Sequence, residues 1–209
     1  MTSQALDREA LVRRGLRLNY LTIGYNVVEA LVSLVSGILA GSVALVGFGV
    51  DSVIEVSASA AAQWRLRVDV DHARRARVEL LTHRGIGISF LALALYVAVD
   101  SGNSLWRGEH PDRSITGIVI LTMSVIVMPI LFRAKRRVAR ALESRALEAD
   151  ATQTSLCAWL SAIALAGVAL NATLGWWWAD PLAALAMVPI IAKEGVEGVR
   201  GVPACDDCC

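Results

Sequence analysis

The amino-acid sequence predicts an all-α membrane protein with six transmembrane helices, and three observations lead to this fold class. Of its 209 residues, 56% are hydrophobic and 19% charged, with a mean hydropathy of +0.55. A soluble domain carries nearer a quarter of charged residues. The apolar residues gather in six blocks, each at or near the roughly 20 residues that a helix needs to cross a bilayer core. The sequence shows no alternating segments of about ten residues, which membrane strands would need.

The six blocks define the predicted helices in chain order. They are residues 18–40, 41–62, 80–99, 115–132, 151–174 and 177–192. Because lipid offers no partner for backbone N–H and C=O groups, each block is expected to be helical. Only the turn Ala40-Gly41-Ser42 separates the first two blocks, so they are expected to form a helical hairpin.

The distribution of basic residues predicts the orientation. All of the 20 Lys and Arg residues except Arg107 and Arg113 fall on one side of the predicted membrane, including Lys135 in the loop between helices 4 and 5. By the positive-inside rule, both termini are then cytoplasmic. Residues 1–17 are expected to be a cytoplasmic N-terminal segment and 18–196 the six-helix transmembrane domain. The remaining residues, 197–209, are expected to form a short Cys-rich cytoplasmic tail with no soluble C-terminal domain.

Acidic residues inside the predicted helices are the first sign of function. A charged side chain at the bilayer centre costs about 2.5–3.5 kcal/mol even on the lenient insertion scale. Five acids lie in or at the edge of the blocks: Glu29, Asp51, Glu55, Asp150 and Asp180. Asp51 and Glu55 are four residues apart, so both carboxylates project from one face of helix 2. In a low dielectric they cannot both stay ionised without a cation or protons.

Helix 5 contains a second pair of possible ligands at the same spacing, Gln153 and Cys157. Gln153 offers a carbonyl oxygen and Cys157 a thiolate, and both groups bind metals. Each pair also has a structural interpretation. The carboxylates of helix 2 could be hydrogen-bonded to neighbouring helices, and a membrane cysteine is more often a small apolar packing residue.

Three further groups could bind a metal. The loop between helices 2 and 3 contains Asp69, Asp71 and His72, and His83 begins helix 3. The chain ends in three thiols and two carboxylates, a plausible chelator of soft metals, at Cys205, Asp206, Asp207, Cys208 and Cys209. A solvated loop and a tail without a defined role are the alternatives.

Four segments resemble motifs of the cation diffusion facilitator family. Residues 42–55 resemble its second helix, S-x-A-L-x-A-D-A-x-[HD]-x-x-x-D, and residues 149–157 its fifth, A-D-A-x-H-x-x-x-D. Residues 175–181 match G-W-x-x-A-D-P at the start of its sixth helix, and residues 77–79 match the R-x-E of its third. The resemblance extends from about residue 19 to 201.

This resemblance implies a transporter that exports divalent metals, usually zinc, by proton antiport in homodimers. The family site uses two residues of helix 2 and two of helix 5, which correspond to Asp51, Glu55, Gln153 and Cys157. Gln153 stands where the family has His, Cys157 where it has Asp, and Phe48 where it has an Asp before the helix 2 motif. The family also commonly continues into a cytoplasmic metal-binding domain.

The expected function is therefore efflux of a divalent transition metal. The mixed oxygen and sulfur set suits zinc, cadmium, cobalt or iron and disfavours magnesium and calcium. The expected partners are the metal ion, protons, the lipid bilayer and a second copy of the chain, in a bacterial-type inner (plasma) membrane, with no permanently bound cofactor. A net charge of +1 gives no case for nucleic-acid binding.

The alternative to a transporter is a non-transporting, metal-responsive membrane module that partners another transporter. An enzyme is not expected, because the sequence has neither G-x-S-x-G nor H-E-x-x-H.

Overall fold

A computed structural model of the chain describes residues 3–67, 72–142 and 145–200. Within these ranges the chain forms α-helices and no strands. The helices are α1 (Ser3–Ala40), α2 (Val43–Arg67), α3 (His72–Arg107), α4 (Ile115–Ala141), α5 (Arg145–Leu174) and α6 (Ala179–Arg200). The predicted all-α class with six helices is confirmed.

Helices α1 to α5 are long and apolar enough to cross a membrane, as judged over the described ranges. Helix α6 has 22 residues but carries Asp180 near one end and Lys193 and Glu194 near the other. The uncharged stretch 181–192 spans only about 18 Å at 1.5 Å per residue. Apolarity alone therefore does not place α6 across the membrane. Its buried face, which includes Ala184, Met187 and Ile191, packs within the bundle.

Several helices continue past the predicted apolar blocks. Helix α1 begins at Ser3, within the predicted cytoplasmic segment, and α3 continues to Arg107. Helix α4 runs nine residues past Phe132, to Ala141. The prediction of Lys135 as a loop residue is wrong, because Lys135 lies in this extension and is only 2% exposed. Mean apolarity identifies the part of a helix that faces lipid. A helical extension that buries only one stripe of side chains is amphipathic, and its mean apolarity is low.

The hairpin predicted between the first two helices is confirmed. Gly41 has a φ of +64°, a left-handed conformation that glycine adopts without steric cost. The Ser42 amide donates to the Gly37 carbonyl at 2.9 Å, which closes the end of α1. The two helices then pack closely, and a Cβ atom added at Gly49 would lie 2.8 Å from the Leu34 side chain.

Helix α2 is central, because it packs against α1, α3, α5 and α6. Its Leu45 and Phe48 side chains are fully buried. Apolar side chains such as Leu39 and Ile115, by contrast, are 78% and 77% exposed on the outside of the bundle. The buried face of α1 is largely polar and includes Asn19, Thr22, Asn26, Glu29 and Ser33. An apolar exterior around an interior that also contains polar and charged side chains is the arrangement expected of a protein whose outer surface contacts lipid.

Candidate metal centre

Asp51, Glu55 and Cys157 are buried together where α2 meets α5, and they are 4%, 1% and 1% exposed. The spacing of four places both carboxylates on the face of α2 that turns inward. Cys157 belongs to the buried stripe of α5, which repeats every three or four residues at Asp150, Thr154, Cys157, Ser161 and Ala164. The thiol lies within electrostatic range of both carboxylates. The structure therefore brings these three predicted residues together.

Gln153, the fourth predicted residue, is not joined to them by a hydrogen bond in the structure. Its side chain is only partly buried, at the edge of the α5 stripe. The next residue, Thr154, points inward in its place, and its hydroxyl donates to Glu55 Oε1 at 2.9 Å. A spacing of four places Gln153 and Cys157 on roughly the same side of α5. The buried stripe, however, passes through Asp150, Thr154 and Cys157 and leaves Gln153 beside it.

Glu29 of α1 also lies beside the cluster and is completely buried. Its Oε2 atom accepts a 2.9 Å hydrogen bond from the Ser52 hydroxyl. The Cys157 thiol donates to the same oxygen at 3.8 Å. Sequence reasoning identified Glu29 as an intramembrane acid but did not place it at the site, because nothing in the sequence tells which face of α1 meets α5.

A second polar network lies one to two turns away and neutralises Asp150. The Lys135 ammonium is 2.8 Å from Asp150 Oδ2, and the two side chains are 2% and 3% exposed. The Ser59 hydroxyl donates to Asp150 Oδ1 at 2.8 Å, and Asn19 donates to the Ser59 carbonyl at 3.1 Å. Lys135 also donates to the Thr154 hydroxyl at 3.1 Å. Thr154 therefore connects this ion pair to Glu55.

Asp180 is stabilised by the start of α2. Its Oδ1 accepts from the Ser42 hydroxyl at 2.6 Å, and its Oδ2 accepts from the backbone amides of Val43 and Ala44 at 3.0 and 3.5 Å. The first amides of a helix lack partners inside the helix and favour negative charge. Asp180 is therefore a capping residue contributed by another helix.

The five intramembrane acids thus fall into two groups. Asp150 pairs with Lys135, and Asp180 caps α2. In the described part of the chain, no basic side chain forms an ion pair with Glu29, Asp51 or Glu55. These three acids, with Cys157, are the groups that a bound cation could neutralise.

The side chains of this cluster do not surround a closed metal site. Among the described residues, no three His, Cys, Asp or Glu side chains approach closely enough to enclose an ion. Adjacent ligand atoms on one tetrahedral zinc, with bonds of roughly 2.1 Å to oxygen and 2.3 Å to sulfur, are about 3.6 Å apart. The 3.8 Å contact between Cys157 Sγ and Glu29 Oε2 is near that separation. Binding would require the other carboxylates to turn toward this pair.

The other predicted metal-binding groups lie outside what the structure describes. This is so for Asp69 and Asp71, for the side chains of His72 and His83, and for the tail cysteines Cys205, Cys208 and Cys209. They stay predictions from the sequence.

Comparison with known proteins gives a consistent result over nearly the whole chain. Residues 20–200 match the family described as the cation efflux transmembrane domain. The chain is 27% identical over 194 residues to the uncharacterized transporter YdbO of Bacillus subtilis. This alignment covers 90% of the chain and 67% of YdbO. The chain is also 24% identical over 180 residues to the cation-efflux pump FieF of Shewanella oneidensis. That alignment covers 83% of the chain and 60% of FieF. The chain thus spans about two thirds of the length of these relatives.

Proposed function

Because this chain belongs to the cation efflux family, we propose that it exports a divalent transition-metal cation from the cytoplasm. The proposed site lies between α2 and α5 and uses Asp51, Glu55 and Cys157, with Gln153 at its edge. One observation carries this proposal: buried carboxylates that form no ion pair with any described basic side chain lie beside a buried thiol within the bundle. The family, and the likeness to the cation-efflux pump FieF, support the class of substrate.

The chemistry of the donors favours zinc or a softer ion. Oxygen ligands with one sulfur suit zinc, cadmium, cobalt and iron, whereas magnesium and calcium prefer oxygen alone. We expect the metal to leave as protons bind the carboxylates, since buried carboxylates need either a cation or protons to offset their charge. Such an exchange couples export to the proton gradient.

We further propose a homodimer in a bacterial-type inner membrane with both termini in the cytoplasm. The orientation rests on the distribution of Lys and Arg. Both relatives described above are bacterial. The dimer follows from the family resemblance of the sequence motifs.

Metal flux into proteoliposomes that contain only this chain tests the proposal. We expect zinc or cadmium transport that Asp51→Asn and Cys157→Ala each reduce at least tenfold. Ser57→Ala is the matched control on α2, because the Ser57 hydroxyl is exposed and bonds only to its own helix, at the Val53 carbonyl. Undiminished flux in both site variants would overturn the site. Absence of flux in the unchanged chain would favour a module that acts only with another transporter.

A further inference from the structure

Glu29 is the buried acid of the cluster that the site between α2 and α5 does not use. Its side chain is 0% exposed. One carboxylate oxygen, Oε2, accepts from Ser52 and from Cys157. Among the described residues the other, Oε1, forms no hydrogen bond, although the Tyr25 and Ser124 hydroxyls lie beside the same carboxylate. A buried acceptor left without a partner costs about 1–3 kcal/mol, and more when it is charged.

Two neighbouring groups also lack hydrogen-bond partners among the described residues. Glu55 Oε2 is buried without a hydrogen bond, although its Oε1 is held by Thr154. Asn26, three residues before Glu29 on the same face of α1, is 0% exposed, and neither atom of its amide group has a partner. Buried polar atoms in native proteins are nearly always satisfied, and an ordered water or an ion is a recognised partner where no protein group serves.

The position of Glu29 also suits ligation. Glu29 Oε2 is already 3.8 Å from Cys157 Sγ, close to the roughly 3.6 Å between neighbouring ligand atoms on one tetrahedral ion. Asp51 and Glu55 are buried at the contact between α2 and α5, the helix of the same thiol. Gln153, in contrast, is partly exposed at the edge of the α5 stripe. Glu29 is therefore better placed than Gln153 to complete a set of four.

We propose that Glu29 is a ligand of the transported cation, so that the site is closed by α1 as well as by α2 and α5. This inference rests on the proposed function. Glu29 would supply a third carboxylate, and with Asp51, Glu55 and Cys157 the site would offer three oxygens and one sulfur. Such a set is more anionic than one completed by the neutral amide of Gln153, and it selects a divalent ion of the zinc and cadmium class. Ser52 orients the carboxylate by hydrogen bonding, as groups behind metal ligands commonly do.

The test is cadmium binding to the purified chain in detergent. Cys205, Cys208 and Cys209 are replaced by Ser, so that the ultraviolet absorption of the cadmium–thiolate bond reports on Cys157 alone. Glu29→Gln is expected to lower the cadmium affinity at least tenfold while the absorption is retained at saturating metal. Glu29→Asp keeps the carboxylate on a side chain that is one carbon shorter. Its cadmium affinity is expected to lie between those of the parent chain and Glu29→Gln. Ser33→Ala, another buried polar position on α1, is the control and should bind as the parent chain does.

The outcomes separate this inference from the proposed function. Parent affinity in Glu29→Gln, together with weakened binding in Asp51→Asn, would overturn the role of Glu29 and leave the site between α2 and α5 in place. Weaker binding in Gln153→Ala but not in Glu29→Gln would assign the fourth position to Gln153. If the parent chain binds no cadmium, or if Asp51→Asn binds as the parent does, the proposed function itself fails. Should Glu29→Gln not fold, the affinity of Glu29→Asp decides.

Discussion

Lys135 of α4 and Asp150 of α5 form a buried ion pair, with the ammonium 2.8 Å from the carboxylate. The pair lies next to the candidate metal centre, because Lys135 also donates to Thr154, whose hydroxyl donates to Glu55. It holds together the two helices on either side of the segment between Ala141 and Arg145. Taking both charges out of water is costly, so each side chain depends on the other.

Removing one partner of this pair should destabilise the protein strongly. Lys135→Met is expected to lower the free energy of unfolding by about 3–5 kcal/mol, because it leaves a buried carboxylate unpaired. Chemical denaturation in mixed micelles measures the loss. Arg137→Met is the matched control, since Arg137 is exposed on the same helix. Adding Asp150→Leu to Lys135→Met should restore most of the stability, and a single variant as stable as the parent would contradict the buried pair.

The Thr154 hydroxyl should position Glu55 for metal binding. Thr154→Val keeps the shape of the side chain but removes the hydrogen bond to Glu55 Oε1. Hydrogen bonds to charged groups contribute about 1.5–3 kcal/mol, so we expect at least a tenfold loss of zinc affinity by isothermal titration. Thr152→Val is the control, because the Thr152 hydroxyl bonds to the Glu148 carbonyl of its own helix at 3.0 Å. Equal affinities for the two variants would count against a role for Thr154.

Asp180 should stabilise the first turn of α2 together with Ser42. Asp180→Asn is expected to lower the free energy of unfolding by about 1–2 kcal/mol, the range for the loss of a charged cap. Because Ser42 donates directly to Asp180, Ser42→Ala and Asp180→Asn should not be additive in a double-mutant cycle. Glu197→Gln, a partly exposed acid of α6, serves as the control. Strict additivity of the pair would show that the two side chains act independently.

Close packing of α3 against α6 should make Gly87 intolerant of any side chain. A Cβ atom there would lie 2.5 Å from the Val199 amide nitrogen and 2.7 Å from the Gly195 carbonyl oxygen, both of which are backbone atoms. Gly87→Ala is expected to cost about 1–3 kcal/mol, as overpacking generally does. At Gly85, on the same helix, nothing lies within 4 Å of the added atom. Thermal unfolding in detergent should show that Gly85→Ala is at least as stable as the parent. A similar loss of stability in both variants would contradict the close contact of α3 and α6 at Gly87.

The orientation of the bundle can be measured by labelling with a membrane-impermeant maleimide. In intact cells, Asp112→Cys, between α3 and α4, should react, whereas Arg137→Cys should react only after lysis. Both residues are exposed. Replacing the tail cysteines by Ser leaves Cys157, which is buried and should not be labelled. The reverse pattern would place the termini outside the cytoplasm.

Periodicity was enough to predict the helices and part of the site. Asp51 and Glu55 could be placed on one face of α2 because a spacing of four fixes their relative direction. The tight hairpin followed from Gly41 and Ser42. The extension of α4 was missed, because the charged residues after Phe132 resemble a loop when only their mean hydropathy is considered.

Contacts between helices were not predictable in the same way. The sequence could not show that Asp150 faces Lys135, nor that Glu29 rather than Gln153 lies against Cys157. Such contacts depend on the rotation of each helix about its own axis. A difference of one position, as between Gln153 and Thr154, turns a side chain by about 100° and decides whether it points into the bundle.

The attachment of Asp180 to the start of α2 has a mechanical consequence. A sliding movement of α2 along α6 would break all three hydrogen bonds to the carboxylate, whereas a tilt about that point would keep them. The attachment therefore acts as a pivot. Asp51 is eight residues beyond Val43, or about 12 Å along the helix, so a tilt of about 10° would move it by about 2 Å. With the start of α2 held in place and the region of Asp51 free to move, the bundle would change its opening while α2 stays attached to α6.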